Sequence, residues 1–424
     1  MSGFCVSLFV IAFCFVGLAG CSQEKQTATS EQNDDLKSGD ETPVSHLAEA
    51  RRKLQTRAYD AAADSAAKAL LQDPDNSDAR LVASEIEVAR GNYQVAIDLA
   101  DSIPIESRLG PQAVTLRVKA LRRLGRHDNA ADLLMLALRR HPGQETWRHQ
   151  CWQLLNRVGR REEASKQAEL LCRMGVANLY EMQSLVRRTE SFPTLLRDDE
   201  KPEQFFDSGL GMARWYFTKL DYRKALDALQ KEKESGFRTP AAKALYGRLL
   251  GETQSFEEFP SWHAEKSEAM KELGDYWVAL GTYFFDKRLY SSSAHALLQA
   301  VYRNPSDRVA FQRLAKVFDA LGRSEDAAQY RARGILVSDT EFAAEEIYKS
   351  QSDLAMVKRM ARYMQDLGRP FETLQWTMML LPANASQQRE VIALQRRGFL
   401  EKPEISLMAA ESALSGNAPP SFSI

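Results

Sequence analysis

The feature that most constrains the fold of this 424-residue chain is a 34-residue period. Small residues recur at this step in two series, Ala62, Ala96, Ala130 and Ala164, and Gly91, Gly125 and Gly159. The phrases around them, such as GNYQVAIDLADSIP and GRHDNAADLLMLALRRHP, keep the same order of residue types. A period of this length indicates an array of small units, each of which buries its apolar face only by stacking on its neighbours. The sequence therefore predicts a solenoid.

The units are predicted to be pairs of helices. Alanine and leucine are abundant and runs of valine, isoleucine and threonine are scarce, which favours helices over strands. Small residues at matched offsets, such as Ala50 with Ala62 or Gly281 with Ser293, would let two antiparallel helices approach closely. Gly91 would supply the turn between the two helices. Proline then stops the second helix of a unit. Such prolines stand at Pro74, Pro142 and Pro305.

The second half of the chain has the same order of residue types. The residues that carry it are Trp277, Leu280, Gly281, Phe284, Tyr290, Leu297, Ala300 and Pro305. Together with the first series, these offsets resemble the tetratricopeptide repeat family over most of residues 44–380. The resemblance implies an all-α fold, a right-handed superhelical solenoid of antiparallel helix hairpins. It also implies that the chain works by binding a partner.

One stretch breaks the period. Residues 189–204, TESFPTLLRDDEKPEQ, contain two prolines and a run of charges, which indicates an irregular connection or a hinge. It divides an N-terminal array at 44–188, of about four repeats, from a C-terminal array at 205–400, of about five or six. Some C-terminal repeats are degenerate, and GRLLGETQSFEEFPSWHAEK predicts a distorted second helix. Residues 401–424 are predicted to be a frayed tail.

The N-terminus predicts export and lipidation. Residues 1–20 are predicted to be a cleaved signal peptide, because residues 4–19 are almost all apolar and carry no charge. The sequence LAGC that ends at Cys21 resembles the lipobox of bacterial lipoproteins. That resemblance implies a lipid on Cys21 and a cell-envelope location facing the periplasm, with Ser22 favouring the outer over the inner membrane.

Two observations bear on this anchor. The first 20 residues hold no Lys or Arg, unlike the usual positively charged start of a signal peptide. The alternative is therefore an ordinary cleaved signal with a chance cysteine. Residues 21–43 are rich in Gln, Glu, Ser, Thr and Asp and have almost no large apolar side chains. They are predicted to be a disordered tether, because they cannot bury enough apolar surface to offset the entropy of ordering.

Charge is unevenly distributed along the chain, although the whole has a net charge of −1. Residues 22–105 hold 16 acidic and 9 basic side chains, whereas residues 106–188 hold 8 acidic and 16 basic ones. In the repeat family, first helices line a groove. The resemblance places there Lys119, Arg122, Arg123, His149, Gln153, Asn156 and Arg157. This cationic groove predicts a protein partner, with an acidic segment as one candidate ligand. The alternatives are a solvated face, or pairing of these charges with the acidic first repeats.

The sequence contains no recognisable catalytic or cofactor-binding motif. No phosphate-binding loop, metal-ligand spacing or set of acid, base and nucleophile occurs, so no enzyme activity, metal, cofactor or small-molecule substrate is predicted. Nucleic acid is not predicted as a partner of a secreted, anchored protein. Cys151 and Cys172 are predicted to be buried free thiols, with a disulfide as the alternative.

The combined prediction is a membrane-anchored scaffold that binds a protein partner in the cell envelope and supports assembly, secretion or export. Two other functions stay open. One is an adaptor for the synthesis or export of an anionic envelope polysaccharide, which the basic third and fourth repeats motivate. The other is that the chain is the repeat portion of a larger protein.

Overall fold

The computed structural model describes residues 42–188, 201–350, 353–381 and 386–401, with side chains in the last range up to residue 397. Within these ranges the chain is helical and contains no strand. The predicted signal peptide, Cys21 and most of the predicted tether lie outside the described residues. So do residues 189–200 of the predicted connection and residues 402–424 of the predicted tail.

The first array consists of four helix hairpins and the first helix of a fifth unit. Its helices are α1 (Pro43–Gln55), α2 (Tyr59–Gln72), α3 (Ser77–Arg90), α4 (Tyr93–Asp101), α5 (Gly110–Arg123), α6 (His127–Arg140), α7 (Glu145–Arg157), α8 (Arg161–Arg173) and α9 (Leu179–Val186). Odd-numbered helices are the first helices of their hairpins. The Thr42 side chain caps α1 by accepting a hydrogen bond from the Ser45 amide, and Pro43 occupies the first turn.

The second array continues the hairpin pattern. Its helices are α10 (Pro202–Phe205), α11 (Gly209–Thr218), α12 (Tyr222–Glu234), α13 (Pro240–Glu252), α14 (Phe259–Ala264), α15 (Glu268–Lys271), α16 (Gly274–Asp286), α17 (Tyr290–Arg303), α18 (Arg308–Ala320), α19 (Ser324–Lys349), α20 (Leu354–Asp366), α21 (Pro370–Met378) and α22 (Ser386–Glu401). Two short helices, α14 and α15, stand where a regular unit has one long second helix. The predicted all-α solenoid of antiparallel helix hairpins is confirmed.

Small residues set the distance between the two helices of a hairpin. The alanines of the 34-residue series are buried: Ala62, Ala96, Ala130 and Ala164. The same contact occurs in the second array, where the Ser293 hydroxyl donates a 2.7 Å hydrogen bond to the Gly281 carbonyl. A Cβ atom at Gly281 would lie 2.5 Å from Cγ of Leu297, so no larger residue fits without displacing that side chain. Close helix packing is therefore the physical cause of the period.

Hairpin turns pass through residues with a positive φ angle. In the first array these are Arg57, Gly91, Gly125 and Gly159, and in the second array Leu220, Gln254, Arg288 and Gly322. Both series advance by 34 residues. Glycine adopts this conformation readily, whereas the Cβ atom of any other residue crowds the backbone at a cost of about 1–2 kcal/mol. Half of these turns therefore contain a residue that opposes the turn conformation.

The last helices of the first array, α7, α8 and α9, pack against helices of the second array. Buried residues of α7, α8 and α9 share one apolar core with residues of α18 to α21, such as Leu171 and Leu185 with Ile347 and Trp376. Polar side chains reinforce this contact across the sequence. The Gln183 amide donates to the Ala344 carbonyl at 2.9 Å, the Gln375 amide to Ala177 at 3.1 Å and the Ser306 hydroxyl to Leu185 at 3.1 Å. The described residues of both arrays thus belong to one compact unit.

A chain of buried charges crosses the same region. Arg214 on α11 forms ion pairs with Glu162 on α8 at 2.7 Å and with Asp275 on α16 at 2.5 Å. Arg248 on α13 pairs with Asp275 at 2.8 Å and with Asp307, the N-cap of α18, at 2.5 Å. Burial raises the pKa of Asp275, but the two arginines outweigh burial and hold it below its usual value. Four helices of the second array are thereby connected to α8.

The substitution Arg288→Gly is expected to stabilise the chain by about 1 kcal/mol, because it relieves the positive φ angle of 59° at an exposed position. Urea unfolding of the full chain measures the change. Arg288→Ala is the matched control, since alanine removes the long side chain but keeps the Cβ atom that crowds the turn. If both variants had the same free energy of unfolding, the turn would carry no strain at this residue.

Candidate functional site

First helices of neighbouring hairpins lie side by side in the first array. The Trp147 indole on α7 donates to the Thr115 hydroxyl on α5 at 3.3 Å, and the Trp152 indole donates to the Ser184 hydroxyl on α9 at 3.1 Å. These bonds align α5, α7 and α9 in a row. The surface of this row, which carries most of the predicted partner-binding residues, is called the basic groove below.

Three cations of the basic groove are exposed. Lys119, Arg122 and Arg123 all point from α5 to solvent, and in the described part of the chain no carboxylate lies within ion-pair distance of any of them. Gln153 on α7 is exposed as well. Lys119 does act at longer range on Glu85, where burial raises the carboxyl pKa and the charges of Arg51 and Lys119 partly offset that rise.

Other arginines of the basic segment are neutralised by the acidic first repeats. Arg108 pairs with Asp78 at 3.2 Å. Arg117 on α5 pairs with Asp101. Pairing between the two oppositely charged segments is therefore real, but it involves these two arginines and, among the described residues, provides no carboxylate for Lys119, Arg122 or Arg123.

The Arg157 side chain is bound by a later segment of the same chain. Residues 201–208, called the strap below, lie against the C-terminal end of α7. Nε of Arg157 is 2.5 Å from Oδ2 of Asp207, Nη2 is 3.2 Å from Oδ1, and the guanidinium lies 5.5 Å from the centre of the Phe205 ring. The Ser208 hydroxyl donates to the Val158 carbonyl at 2.7 Å. The predicted partner residue Arg157 thus fixes the strap on the groove.

Two histidines of the groove region have opposite pKa shifts. Nδ1 of His149 is 2.5 Å from Oε1 of Glu181, whose side chain is fully buried, and this hydrogen bond raises the pKa of His149. His127 lies 2.7 Å from Asp207 on the strap, but burial outweighs that carboxylate and lowers the pKa of His127. His149 is therefore a structural link from α7 to α9 as well as a groove residue.

Asn156 does not face the groove. Its side chain is buried, donates a 2.8 Å hydrogen bond to the Trp152 carbonyl and accepts one from Arg161. The amide therefore joins the end of α7 to the start of α8. A partner that stays outside this packing does not reach Asn156.

A pocket of about 350 Å³ opens in the basic groove beside the strap. Its walls come from α5, α6, α7, α9 and the strap. The lining residues are Arg122, His127, Trp152, Gln153, Leu154, Arg157, Tyr180 and Phe205. Sequence reasoning missed Tyr180 and Phe205, because it placed only the third and fourth repeats in the groove. The one available signal was the pair of phenylalanines in KPEQFFDS, directly after the break in the period.

The described residues contain no group of three or more His, Cys, Asp or Glu side chains placed to hold a metal ion. Cys151 and Cys172 are buried and do not form a disulfide, as the favoured prediction held. Burial raises the pKa of Cys151 to about 12 and that of Cys172 well above its usual value, which disfavours their reactive thiolate forms. No helix in the described ranges combines the length and apolar character needed to cross a membrane.

The His149–Glu181 pair is expected to make stability depend on pH. Because the folded-state pKa of His149 lies above its usual value of 6.5, the stabilisation is full below about pH 6.5 and is lost as pH rises through the raised pKa. Urea unfolding should show a loss of stability in His149→Gln that is larger at pH 5.5 than at pH 8.5. His295→Gln, on the exposed side of α17, controls for the removal of a histidine. An effect of His149→Gln that stayed constant across this range would contradict the assignment.

Comparison with known proteins identifies the repeat. Residues 47–114 match the family model described as tetratricopeptide repeat, and residues 104–175 match the model described as bacterial transcriptional activator domain. No curated protein matches the sequence.

Two of the solved structures that match the chain share little of its sequence. The crystal structure of the APC/C hetero-tetramer Cut9-Hcn1 has 13% sequence identity and a TM-score of 0.30 over 88% of each chain. The structure of Naa15/Naa10 bound to HypK-THB has 12% identity and a TM-score of 0.29, over 88% of this chain and 60% of that one. The family match rests on the sequence of the first hairpins, so the similarity to tetratricopeptide repeats is shown for residues 47–114.

Proposed function

We propose that the chain is a membrane-tethered scaffold that binds a protein partner in the bacterial cell envelope through the basic groove. The observation that carries this proposal is the exposed cationic surface of α5, at Lys119, Arg122 and Arg123. Its neighbours Arg108 and Arg117 are neutralised by carboxylates of the preceding repeats. A set of exposed cations that no described carboxylate neutralises is suited to an external acidic surface.

The groove is pre-formed, which favours binding. Indole hydrogen bonds and the His149–Glu181 pair hold α5, α7 and α9 in place before any partner arrives. The chain therefore loses little conformational freedom on association, and more of the interaction energy appears as affinity. The tetratricopeptide match supports a role in protein interaction rather than catalysis.

The anchor is the second part of the proposal, and it rests on the sequence. The apolar residues 4–19 and the LAGC sequence that ends at Cys21 support lipidation and export, and both lie outside the described residues. Lipid chains on Cys21 would hold the scaffold at a membrane surface, with the outer membrane favoured. Its partner would then be a component of envelope assembly, secretion or export.

Reversing the charge of the basic groove is expected to abolish partner capture. We predict that cross-linking in envelope fractions captures a partner with the native chain and at least tenfold less with Arg122→Glu/Arg123→Glu, because repulsion replaces attraction. Quantitative mass spectrometry of the cross-linked material provides the measurement.

The matched control is Arg139→Glu/Lys166→Glu, which makes the same charge change at exposed positions of the second helices α6 and α8. Capture that fell equally with both double variants would show a general charge effect and remove the groove from the proposal. Removal of acidic polysaccharide from the fractions tests the other candidate ligand, since loss of capture after that treatment would favour a polysaccharide adaptor.

Lipidation is expected to depend on Cys21 alone. Cells grown with a labelled fatty acid should incorporate label into the native chain and into Cys14→Ser, which changes another cysteine of the same N-terminal segment. Cys21→Ser should incorporate none and should leave the membrane fraction on washing, because its acyl anchor is absent. Continued labelling of Cys21→Ser would overturn the anchor.

A further inference from the structure

The pocket beside the strap has the composition of an anchor site for one side chain. Trp152 and Leu154 are buried and form apolar walls, whereas the Tyr180 side chain is 44% exposed although its ring lines the pocket. Arg122 and Gln153 place polar groups at the same pocket. An apolar cavity with a few polar groups at its edge is the arrangement that binds a protruding side chain in protein interfaces.

The wall that Phe205 supplies is fixed in the free protein. Phe206 is buried and lies close to the backbone of α11, where a Cβ atom at Gly211 would be 2.9 Å from its ring. The Ser208 hydroxyl binds the Val158 carbonyl and also caps α11. Asp207 accepts hydrogen bonds from the Arg157 guanidinium, and Nδ1 of His127 lies 2.7 Å from its Oδ2. Three residues of the strap, Phe206, Asp207 and Ser208, thus hold it in place, so the pocket exists before a ligand enters it.

The strap also shows which chemistry this surface binds. A single arginine, Arg157, contacts an aromatic ring at Phe205 and a carboxylate at Asp207, two residues later in the chain. It also donates to the Gln204 carbonyl at 3.3 Å. Ring, carboxylate and backbone of one short segment are therefore bound together. Arg122 lines the neighbouring pocket and, within the described residues, has no carboxylate at ion-pair distance.

We propose that the partner segment is an acidic peptide with one aromatic residue, whose ring enters the pocket between Tyr180 and Phe205 while an adjacent carboxylate pairs with Arg122. This inference rests on the proposed function and names the ligand chemistry of the same groove. Stacking on Tyr180 and Phe205 supplies apolar burial and ring contact. The carboxylate neutralises an exposed cation that has no carboxylate at ion-pair distance among the described residues.

Two labelled peptides test the inference, EEDFEDE and its alanine twin EEDAEDE, which keeps the charge and removes the ring. Fluorescence anisotropy with the purified full chain measures the two dissociation constants. The phenylalanine peptide should bind the native chain about tenfold more tightly, a difference of about 1.4 kcal/mol, because its ring is buried against the aromatic walls of the pocket.

Variants then assign the effect to the pocket. Tyr180→Ala should abolish the difference between the two peptides, and Arg122→Ala should weaken both. Tyr302→Ala, at an exposed tyrosine of α17 in the other array, should leave both affinities unchanged. Tyr180→Leu guards against a folding defect, because it keeps an apolar side chain at this exposed position and should restore part of the difference. Circular dichroism confirms that each variant is folded.

The outcomes separate this inference from the proposed function. Equal binding of the two peptides to the native chain would overturn the aromatic pocket, while their loss in Arg122→Glu/Arg123→Glu would still support the basic groove. A difference that survives in Tyr180→Ala would also overturn it, since the ring would then bind elsewhere. If neither peptide binds, the inference fails, and partner capture by cross-linking decides the proposed function separately.

Discussion

The chain of buried charges from Glu162 to Asp307 determines how the second array sits on the first. Arg214 and Arg248 are almost completely removed from solvent, and so is Asp275 between them. An isolated charge in such a place is very unfavourable, and removing one partner of a buried pair typically costs about 3–5 kcal/mol. Any movement that separates α11, α13 or α16 from α8 would break these pairs. The network therefore opposes such movements, because each would leave a charge in the interior without its partner.

That arrangement decides which surface is available to a partner. The second array uses polar side chains on backbone carbonyls of the first, with Ser306 and Arg369 both on Leu185 and Gln375 on Ala177. The second array thus binds the segment around α9 of the same chain in the way that a peptide-binding surface binds a peptide backbone. Among the residues that the structure describes, only the strap contacts the end of the basic groove at Arg157 in a comparable way. We therefore infer that the first array, rather than the second, binds the partner.

The sequence predicted the hairpins well because their causes are local and repeated. Burial of Ala62 and its equivalents and the positive φ angle at Gly91 follow from the spacing itself. The turns at Leu220, Gln254 and Arg288 have the same geometry without glycine, so that signal was invisible in the second array. Groove residues were harder to predict. Position within a repeat cannot show that Asn156 serves a neighbouring helix, or that Arg157 holds a segment 50 residues away.

The groove is lined by residues that the repeat pattern does not supply, because the pattern is interrupted beside it. A regular array would line the groove with first helices alone, and its chemistry would follow from the repeat positions. Here the period fails after α9, and the chain returns across the end of α7 as the strap. The strap contributes Phe205 as a pocket wall and Asp207 as an internal carboxylate that neutralises Arg157, so Arg122 is the exposed arginine of the pocket. Local violations of a sequence pattern are expected at functional sites. In this chain the violation places an aromatic ring, Phe205, and a carboxylate, Asp207, at the groove, where the repeat alone would supply neither.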